Sequence, residues 1–252
     1  MLGRVCGFFV AMIVAGCLIS PAAAQKLALV IGNSDYKNAL VLPNPVNDAA
    51  DLGSLLSRIG FSVTTLINGT AADMQRAIAE FSNKAKNADI SLIFFAGHAV
   101  EAQGEHWSIP VDGKVDSLDA IRSESVSLQK LLDASAGSKL AVILIDTARD
   151  NPFAKKGDPV GSKAPSTNEK SASAPQYALI MYSTGAGKRP LDGEGRNSPF
   201  TAALMKHIET PGLDLSRLVF LVRDEVAAAT KGQQIPFGHA SLPNTEIVLV
   251  PR

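Results

Sequence analysis

The chain has 252 residues, and its 24 Lys and Arg side chains balance 24 Asp and Glu, so the formal net charge is zero. A chain without a basic excess lacks the electrostatic footprint of nucleic-acid binding, and we therefore expect no nucleic-acid partner. Both cysteines, Cys6 and Cys17, fall near the N-terminus. The remaining sequence therefore offers no disulfide, no thiolate metal site and no thiol nucleophile.

Residues 1–24 have the three parts of a secretory signal peptide. A basic residue stands near the start, an apolar run follows, and small residues close the segment at Ala22 and Ala24. The run is too short for a spanning helix, so we expect cleavage after Ala24 and an extracytoplasmic, periplasmic domain over 25–252. The sequence around Cys17 also resembles a bacterial lipobox, and membrane association is expected only if Cys17 is lipidated.

Short apolar runs bounded by turn residues predict buried strands, and these runs alternate with amphipathic helical patterns. The first helix has Asn44 as N-cap, Pro45 at its first position and Gly60 after its end. Such alternation predicts an α/β fold: a mostly parallel sheet of about six strands with helices on both faces. The predicted strands are 26–33, 61–68, 90–97, 139–146, 177–184 and 246–250. The predicted helices are 44–59, 74–85, 127–135, 198–209 and 215–226.

Two segments interrupt this alternation. Residues 98–113 follow the third strand without a regular pattern, which predicts a short hairpin or a loop excursion. Residues 154–176 are rich in Lys, Ser, Pro and Gly, and such a composition cannot bury a core. The second segment is therefore predicted to be an exposed, flexible linker.

Candidate functional residues stand where two predicted strands end. His98 directly follows the third strand and Asp146 ends the fourth, at the edge where parallel sheets bind ligands. Two interpretations of His98 stay open, an active-site base or a loop histidine that caps a strand. Asp48 lies in the first turns of a helix, where a carboxylate stabilises the dipole. Its functional interpretation depends on whether it faces the same crevice as Asp146.

Four stretches together resemble the bacterial branch (orthocaspases) of the caspase and metacaspase family, of peptidase C14 type. They are LALVIGNSDYKNALVLPNPVNDAADL, LIFFAGHAVEAQGEHWSIPVDG, ILIDTARDNPF and DGEGRNSPFTAAL. The resemblance extends over nearly all of residues 26–250. It implies the caspase-hemoglobinase fold, with 25–153 as a large-subunit-like part and 177–252 as a small-subunit-like part. It also implies a dyad in which a His after the third strand assists a Cys after the fourth.

An alanine occupies the position of that Cys. The family pattern resembles D-A-C-R-D-N-P-F, whereas this chain has DTARDNPF, with Ala148 in the nucleophile's place. His98 precedes it by about 50 residues, the separation found in caspases. A methyl group cannot attack a carbonyl, and removal of such a nucleophile costs on the order of 10⁶ in rate. Thr147 is one residue out of register, so its side chain is expected to point away from the face of residue 148.

Ala99 is a second departure from the family pattern. The family usually has a Gly after the catalytic His, and the N–H of that Gly helps to hold the oxyanion. An alanine with positive φ would be strained and would misdirect this donor. With a negative φ nothing would be lost.

The resemblance also implies a substrate pocket. In metacaspases, acids at the positions of Asp48 and Asp146 line a pocket for Arg or Lys side chains, and two carboxylates match a guanidinium fork. Ala96 replaces a Ser that often accompanies these acids, a change expected to weaken the pocket. The acidic cluster that binds calcium in some metacaspases has no clear counterpart, so we expect neither a metal nor another cofactor.

Three functions are compatible with these features. The leading hypothesis is a secreted caspase-fold pseudopeptidase that binds Arg- or Lys-containing peptide segments without cleaving them. The alternative is an Arg/Lys-directed endopeptidase, either a natural one with an unusual nucleophile or an alanine knock-out of an active cysteine-type parent, inactive through the Cys-to-Ala change at Ala148. The third is a structural envelope protein, favoured if basic residues of the loop 185–200 neutralise Asp48 and Asp146. Those basic residues are Lys188, Arg189 and Arg196.

Overall fold

A computed structural model describes residues 24–102, 104–114, 116–147 and 175–252. The strands are β1 (Lys26–Gly32), β2 (Ser62–Ile67), β3 (Ile90–Gly97), β4 (Ala99–Ala102), β5 (Glu105–Ser108), β6 (Val126–Ser127), β7 (Leu140–Thr147), β8 (Tyr177–Tyr182) and β9 (Phe237–Ser241). The helices are α1 (Pro45–Arg58), α2 (Ala71–Ala85), α3 (Leu118–Glu124), α4 (Leu128–Ala134), α5 (Pro199–Ile208) and α6 (Leu215–Ala229).

A six-stranded sheet in the order β2-β1-β3-β7-β8-β9 forms the centre of the fold. The first five strands run parallel, and β9 pairs antiparallel with β8 at one edge. The central strands β3 and β7 are buried along their whole length, as expected for apolar runs covered on both faces. The predicted α/β class and mostly parallel sheet are confirmed.

Helices cover both faces of this sheet. On one face, the apolar stripe of α1 at Leu52, Leu55 and Leu56 packs with α5 and α6. On the other face, Met74 and Ile78 of α2 pack with α4. The two cores consist of alternate side chains of the same strands, since successive residues of a strand point to opposite faces.

The segment after β3 is a small antiparallel sheet, which confirms the predicted hairpin. β4 and β5 pair with each other, and β5 also pairs with β6. A third, small core joins Val100 and Ile109 of this excursion to Tyr36 after β1 and Ile121 of α3. This cluster fixes the chain beside the carboxyl end of β3.

The prediction of the last strand is wrong. Residues 246–250 were expected to form the sixth strand, but the edge position belongs to β9, and Val248 makes only a single bridge to Asp214. Leu249 instead packs into the core formed with α5 and α6. Gly238 lets β9 approach β8, since a Cβ at this position would lie 3.3 Å from the Ile180 carbonyl oxygen. Tertiary packing therefore overrides the strand propensity of the terminal run.

Several predictions concern residues outside the described ranges. These are residues 1–23 of the expected leader, Ala148, and residues 154–174 of the expected linker. Within the described ranges, none of the helices combines the length and the apolar character needed to cross a membrane.

Candidate functional site at the ends of β3 and β7

A cavity of about 420 Å³ opens where β3 and β7 end. It is lined by all of the predicted site residues that the structure describes, although these come from distant parts of the sequence. They are Asp48, Ala96, His98, Ala99 and Asp146. Ala148, the remaining predicted site residue, follows β7 and lies outside the described residues.

Asp146 lies near the end of β7, where the apolar strand gives way to polar sequence, and it is only 6% exposed. One of its oxygens, Oδ2, accepts hydrogen bonds from the hydroxyl of Ser198 at 2.5 Å and from that of Thr201 at 3.1 Å. Burial raises the pKa of the Asp146 carboxyl, and these hydroxyl donors partly oppose the shift. The chain thus holds a carboxyl in a site where its charge is poorly solvated.

Asp48 reaches the same cavity from the first turn of α1 and is 1% exposed. Its Oδ1 accepts a hydrogen bond of 3.0 Å from the backbone N–H of Ser198. Burial, and then the negative charge of Asp146, raise the pKa of Asp48 to about 8. Asp48 therefore faces the crevice of Asp146, the condition on which its functional interpretation depended. Two mutually repelling carboxyls in one buried site favour either a shared proton or a bound cation.

Ser198 connects these two carboxyls and was not predicted as a site residue. The sequence identified it only as the cap of a helix, and it is the N-cap of α5, where its hydroxyl accepts from the N–H of Thr201. The same residue donates its backbone N–H to Asp48 and its hydroxyl to Asp146. No sequence signal points to this bridge, because its partners lie 150 and 52 residues away.

His98 is held by contacts that sequence reasoning also missed. Its Nε2 lies 2.7 Å from the carbonyl oxygen of Leu40, and its backbone N–H donates to the hydroxyl of Tyr36 at 2.7 Å. The Tyr36 ring meets the imidazole edge-on, with centroids 4.5 Å apart. Because a carbonyl only accepts, Nε2 carries the proton in the neutral ring and Nδ1 keeps its lone pair. The arrangement orients an imidazole that can act as a base through Nδ1.

The two alanines beside these groups create no strain. Ala99 begins β4, pairs with Ser108, and does not have a positive φ. The strained alternative for Ala99 therefore does not apply. Ala96 is buried in β3 directly beside Asp146 in the ladder.

Thr147 does not approach His98 through its side chain. Its hydroxyl lies 3.5 Å from Nε2 of His106, and Thr147 is not among the residues that line the cavity. The Thr147 side chain therefore does not point into the cavity. His106 is buried, 1% exposed, and its ring lies edge-on to Tyr182.

The loop before α5 forms one wall of the cavity, which includes Arg189, Leu191 and Asp192. Arg196 binds Asp51 of α1 in a bidentate ion pair, with distances of 2.8 and 3.1 Å. Arg189 of the same loop lines the cavity together with Asp48 and Asp146. The structural-protein hypothesis, which requires basic residues of this loop beside the two acids, therefore stays a hypothesis. The described residues contain no group of three or more His, Cys, Asp or Glu suited to a metal ion.

Two curated relatives match part of the chain. Mucosa-associated lymphoid tissue lymphoma translocation protein 1 of Homo sapiens is 32% identical over 132 residues, which covers 51% of this chain and 16% of that protein. Its Mus musculus homolog is 32% identical over 132 residues, covering 51% of this chain and 15% of the homolog. The match thus spans only a small part of these longer proteins.

Solved structures and a family model complete the comparison. Caspase-1 from Spodoptera frugiperda superposes with a TM-score of 0.62 at 17% identity, covering 91% of this chain and 90% of that one. A Geobacter sulfurreducens protein gives a TM-score of 0.61 at 16% identity, covering 87% and 95%. These similarities show a common fold. The family model for the caspase domain of peptidase C14 matches residues 25–245, and the chain therefore belongs to the caspase-domain family.

Proposed function

We propose that this chain is a catalytically inactive member of the caspase-domain family that binds Arg- or Lys-containing peptide segments in the cavity at the ends of β3 and β7. The observation that carries the proposal is the pair of buried carboxyls, Asp48 and Asp146, in one cavity. A bound cation would offset the burial and the repulsion by Asp146 that together raise the pKa of Asp48.

The walls of the cavity suit the remainder of a basic side chain. Most of the exposed lining is apolar and includes Leu40, Val41 and Leu191, while the carboxyls provide acceptors. Arg and Lys combine a long aliphatic stem with a charged head, so they can pack against apolar walls while the head reaches an acid. A purely apolar or acidic ligand would leave the carboxyls uncompensated.

The proposed inactivity rests on the residue at the family's Cys position. Ala148 offers no nucleophilic atom, and Thr147 is turned toward His106. His98 retains the orientation of a base but has no thiol to activate at that position. The protein would therefore hold peptide segments and release them intact, as a decoy, a scaffold or a regulator.

Calorimetric titration with a capped peptide that contains one Arg tests the binding proposal. We expect saturable binding by the wild type and a loss of at least about tenfold in affinity for Asp146→Asn, since a charge-assisted contact is removed. Asp224→Asn is the matched control, because Asp224 is an exposed carboxylate that pairs with Arg223 on α6 and does not line the cavity. Wild-type affinity in Asp146→Asn would eliminate the pocket.

Peptidase assays test the proposed inactivity. The unaltered protein should not cleave fluorogenic Arg or Lys substrates, whereas Ala148→Cys should cleave them if the remaining groups are competent. The double variant Ala148→Cys/His98→Ala should be inactive, because the thiol then lacks its base. Cleavage by the unaltered protein that disappears in His98→Ala would overturn the pseudopeptidase proposal.

We further propose that the protein acts outside the cytoplasm, on the basis of the leader-like residues 1–24. The mass and N-terminal sequence of protein recovered from its native host distinguish the two processed forms. Cleavage after Ala24 gives a free periplasmic domain, whereas a lipidated Cys17 gives an anchored one. Recovery of the uncleaved chain from the cytoplasm would contradict both.

A further inference from the structure

Ser198 contacts both acids of the cavity at the same time. Its backbone N–H lies 3.0 Å from Oδ1 of Asp48, and its hydroxyl oxygen lies 2.5 Å from Oδ2 of Asp146. Ser198 therefore links two carboxyls that come from α1 and β7, and Thr201 adds a second hydroxyl donor to Asp146. The bridge occupies one oxygen of each carboxyl and leaves the other oxygen of each outside it.

The surroundings of Ser198 hold it in place. It is 6% exposed and begins α5, so its backbone is tied to a helix that packs in the core. Just before it, Arg196 is anchored to α1 through the ion pair with Asp51 and through its carbonyl oxygen, which accepts from Asn47 at 3.2 Å. Such a bridge restrains the carboxyl groups before any ligand arrives, and this preorganisation lowers the cost of binding.

The two cationic side chains of proteins respond differently to such restraint. A guanidinium is planar and presents its N–H donors in a rigid fork, so its binding depends on the spacing and orientation of the acceptor oxygens. An ammonium is a compact charge with donors that rotate, and it tolerates displaced acceptors. The restrained pair of carboxyls should therefore increase the affinity for an Arg side chain more than the affinity for a Lys side chain.

We propose that Ser198 is the specificity-determining residue of this pocket: by holding Asp48 through its N–H and Asp146 through its hydroxyl, it makes the pocket prefer a guanidinium over an ammonium. The inference rests on the proposed peptide-binding function and adds a role for a residue outside the acid pair. Ser198 is a positioning residue, since it acts through the carboxyls.

The test compares dissociation constants for two peptides that differ only in one Arg or Lys. Ser198→Gly removes the hydroxyl, keeps the N–H to Asp48 and leaves a residue that is well tolerated at a helix N-cap. Ser198→Thr keeps the hydroxyl. Ser127→Gly is the matched control, because Ser127 caps α4 through the N–H of Lys130 and does not line the cavity.

We expect the wild type to bind the Arg peptide at least about tenfold more tightly than the Lys peptide. In Ser198→Gly this preference should fall below about threefold, mainly through weaker Arg binding. Ser198→Thr and Ser127→Gly should keep the wild-type preference, and thermal unfolding of each variant reports any general loss of structure.

The outcomes separate this inference from the proposed function. If the wild type binds both peptides and Ser198→Gly keeps the full preference for Arg, the role of Ser198 is refuted while the binding function stands. If Ser198→Gly loses affinity for both peptides equally, Ser198 supports the pocket without setting its specificity, and the inference fails. If the wild type binds neither peptide, both proposals fail.

Discussion

The carboxyl of Asp48 is buried beside that of Asp146, and burial together with the negative charge of Asp146 raises its pKa to about 8. The two groups therefore hold a proton near neutral pH that ordinary carboxyls would have released. A cation bound between them would favour the ionised form of both. Ligand binding and proton release should then be coupled.

We predict that the affinity for an Arg peptide rises with pH between about 6 and 8 and levels off above the raised pKa of Asp48. With one proton released on binding, the slope is at most about tenfold per pH unit. Calorimetry in two buffers of different ionisation enthalpy measures the released proton. Asp48→Asn, which cannot release it, should flatten the profile, and a wild-type affinity independent of pH over this range would contradict the coupling.

The raised pKa of Asp48 also predicts how the stability of the fold depends on pH. The folded-state pKa of Asp48 lies above its unfolded value of 3.8, so between about pH 4 and 8 the folded state binds more protons than the unfolded state. The contribution of this group to stability is therefore fully present below pH 4 and is lost as the pH rises to about 8. At alkaline pH the ionised pair destabilises the fold.

Urea unfolding of wild type and Asp48→Asn at pH 5 and pH 8 checks this sign. The variant does not titrate, so its stability relative to the wild type should increase with pH, by at most about 1.4 kcal/mol per pH unit. Comparing the difference at two pH values removes the constant effect of the substitution on packing. A relative stability that stays constant, or that decreases with pH, would mean that Asp48 is not the titrating group.

Sequence patterns predicted the architecture where a single element carries its own signal. The apolar runs that became β3 and β7, and the stripe with N-terminal Pro45 that became α1, are local features. The last strand was mispredicted because residues 246–250 have strand propensity, whereas the edge of the sheet went to the less typical segment β9. Which segment pairs with β8 is decided by tertiary packing, and Leu249 of the terminal run packs in the core with α5 and α6 instead.

The residues of the candidate site were likewise predictable only where a local sequence feature marks them. His98 and Asp146 were identified by their position at strand ends, and Asp48 by resemblance to a family motif. The residues that orient them, Ser198 and Tyr36, carried no signal of this role, because their contacts join segments far apart in the chain. Positions along a sequence locate the groups that do chemistry better than the groups that hold them.

The tautomer of His98 is a third testable feature. Because Nε2 faces the carbonyl oxygen of Leu40 at 2.7 Å, the neutral ring should carry its proton on Nε2. Long-range ¹H–¹⁵N NMR spectra of the neutral ring distinguish the two nitrogens by their chemical shifts. A neutral ring protonated mainly on Nδ1 would contradict the Leu40 contact.

Removal of the Tyr36 hydroxyl tests how much its hydrogen bond with the His98 backbone N–H contributes to stability. Tyr36→Phe keeps the ring contact with His98 but deprives the His98 backbone N–H of its acceptor. We expect a loss of about 1–2 kcal/mol in the free energy of unfolding, the usual cost of an unsatisfied buried group. Tyr177→Phe is the control, since the hydroxyl of Tyr177 accepts from the exposed side chain of Gln176. Equal effects of the two substitutions would show that the hydroxyl of Tyr36 has no special role.

Gly97 makes the approach of Tyr36 to His98 possible, and this gives the fifth prediction. Its φ is +154°, and a Cβ at this position would overlap the hydroxyl of Tyr36 and lie 3.2 Å from the Phe95 ring. Gly97→Ala should therefore push Tyr36 away from the His98 N–H and destabilise the fold by about 1–3 kcal/mol. Gly185→Ala is the matched control, because a Cβ there meets no atom within 4 Å.

Denaturant unfolding and the NMR signal of the His98 backbone amide together decide the outcome for Gly97→Ala. The amide should shift strongly in Gly97→Ala, as its acceptor moves, and should stay unchanged in Gly185→Ala. A stable Gly97→Ala variant with an unshifted His98 amide would mean that the carboxyl end of β3 can relax without Tyr36. In that case His98 would be oriented by the Leu40 carbonyl alone, and the small core around Tyr36 would support the excursion after β3 without defining the site.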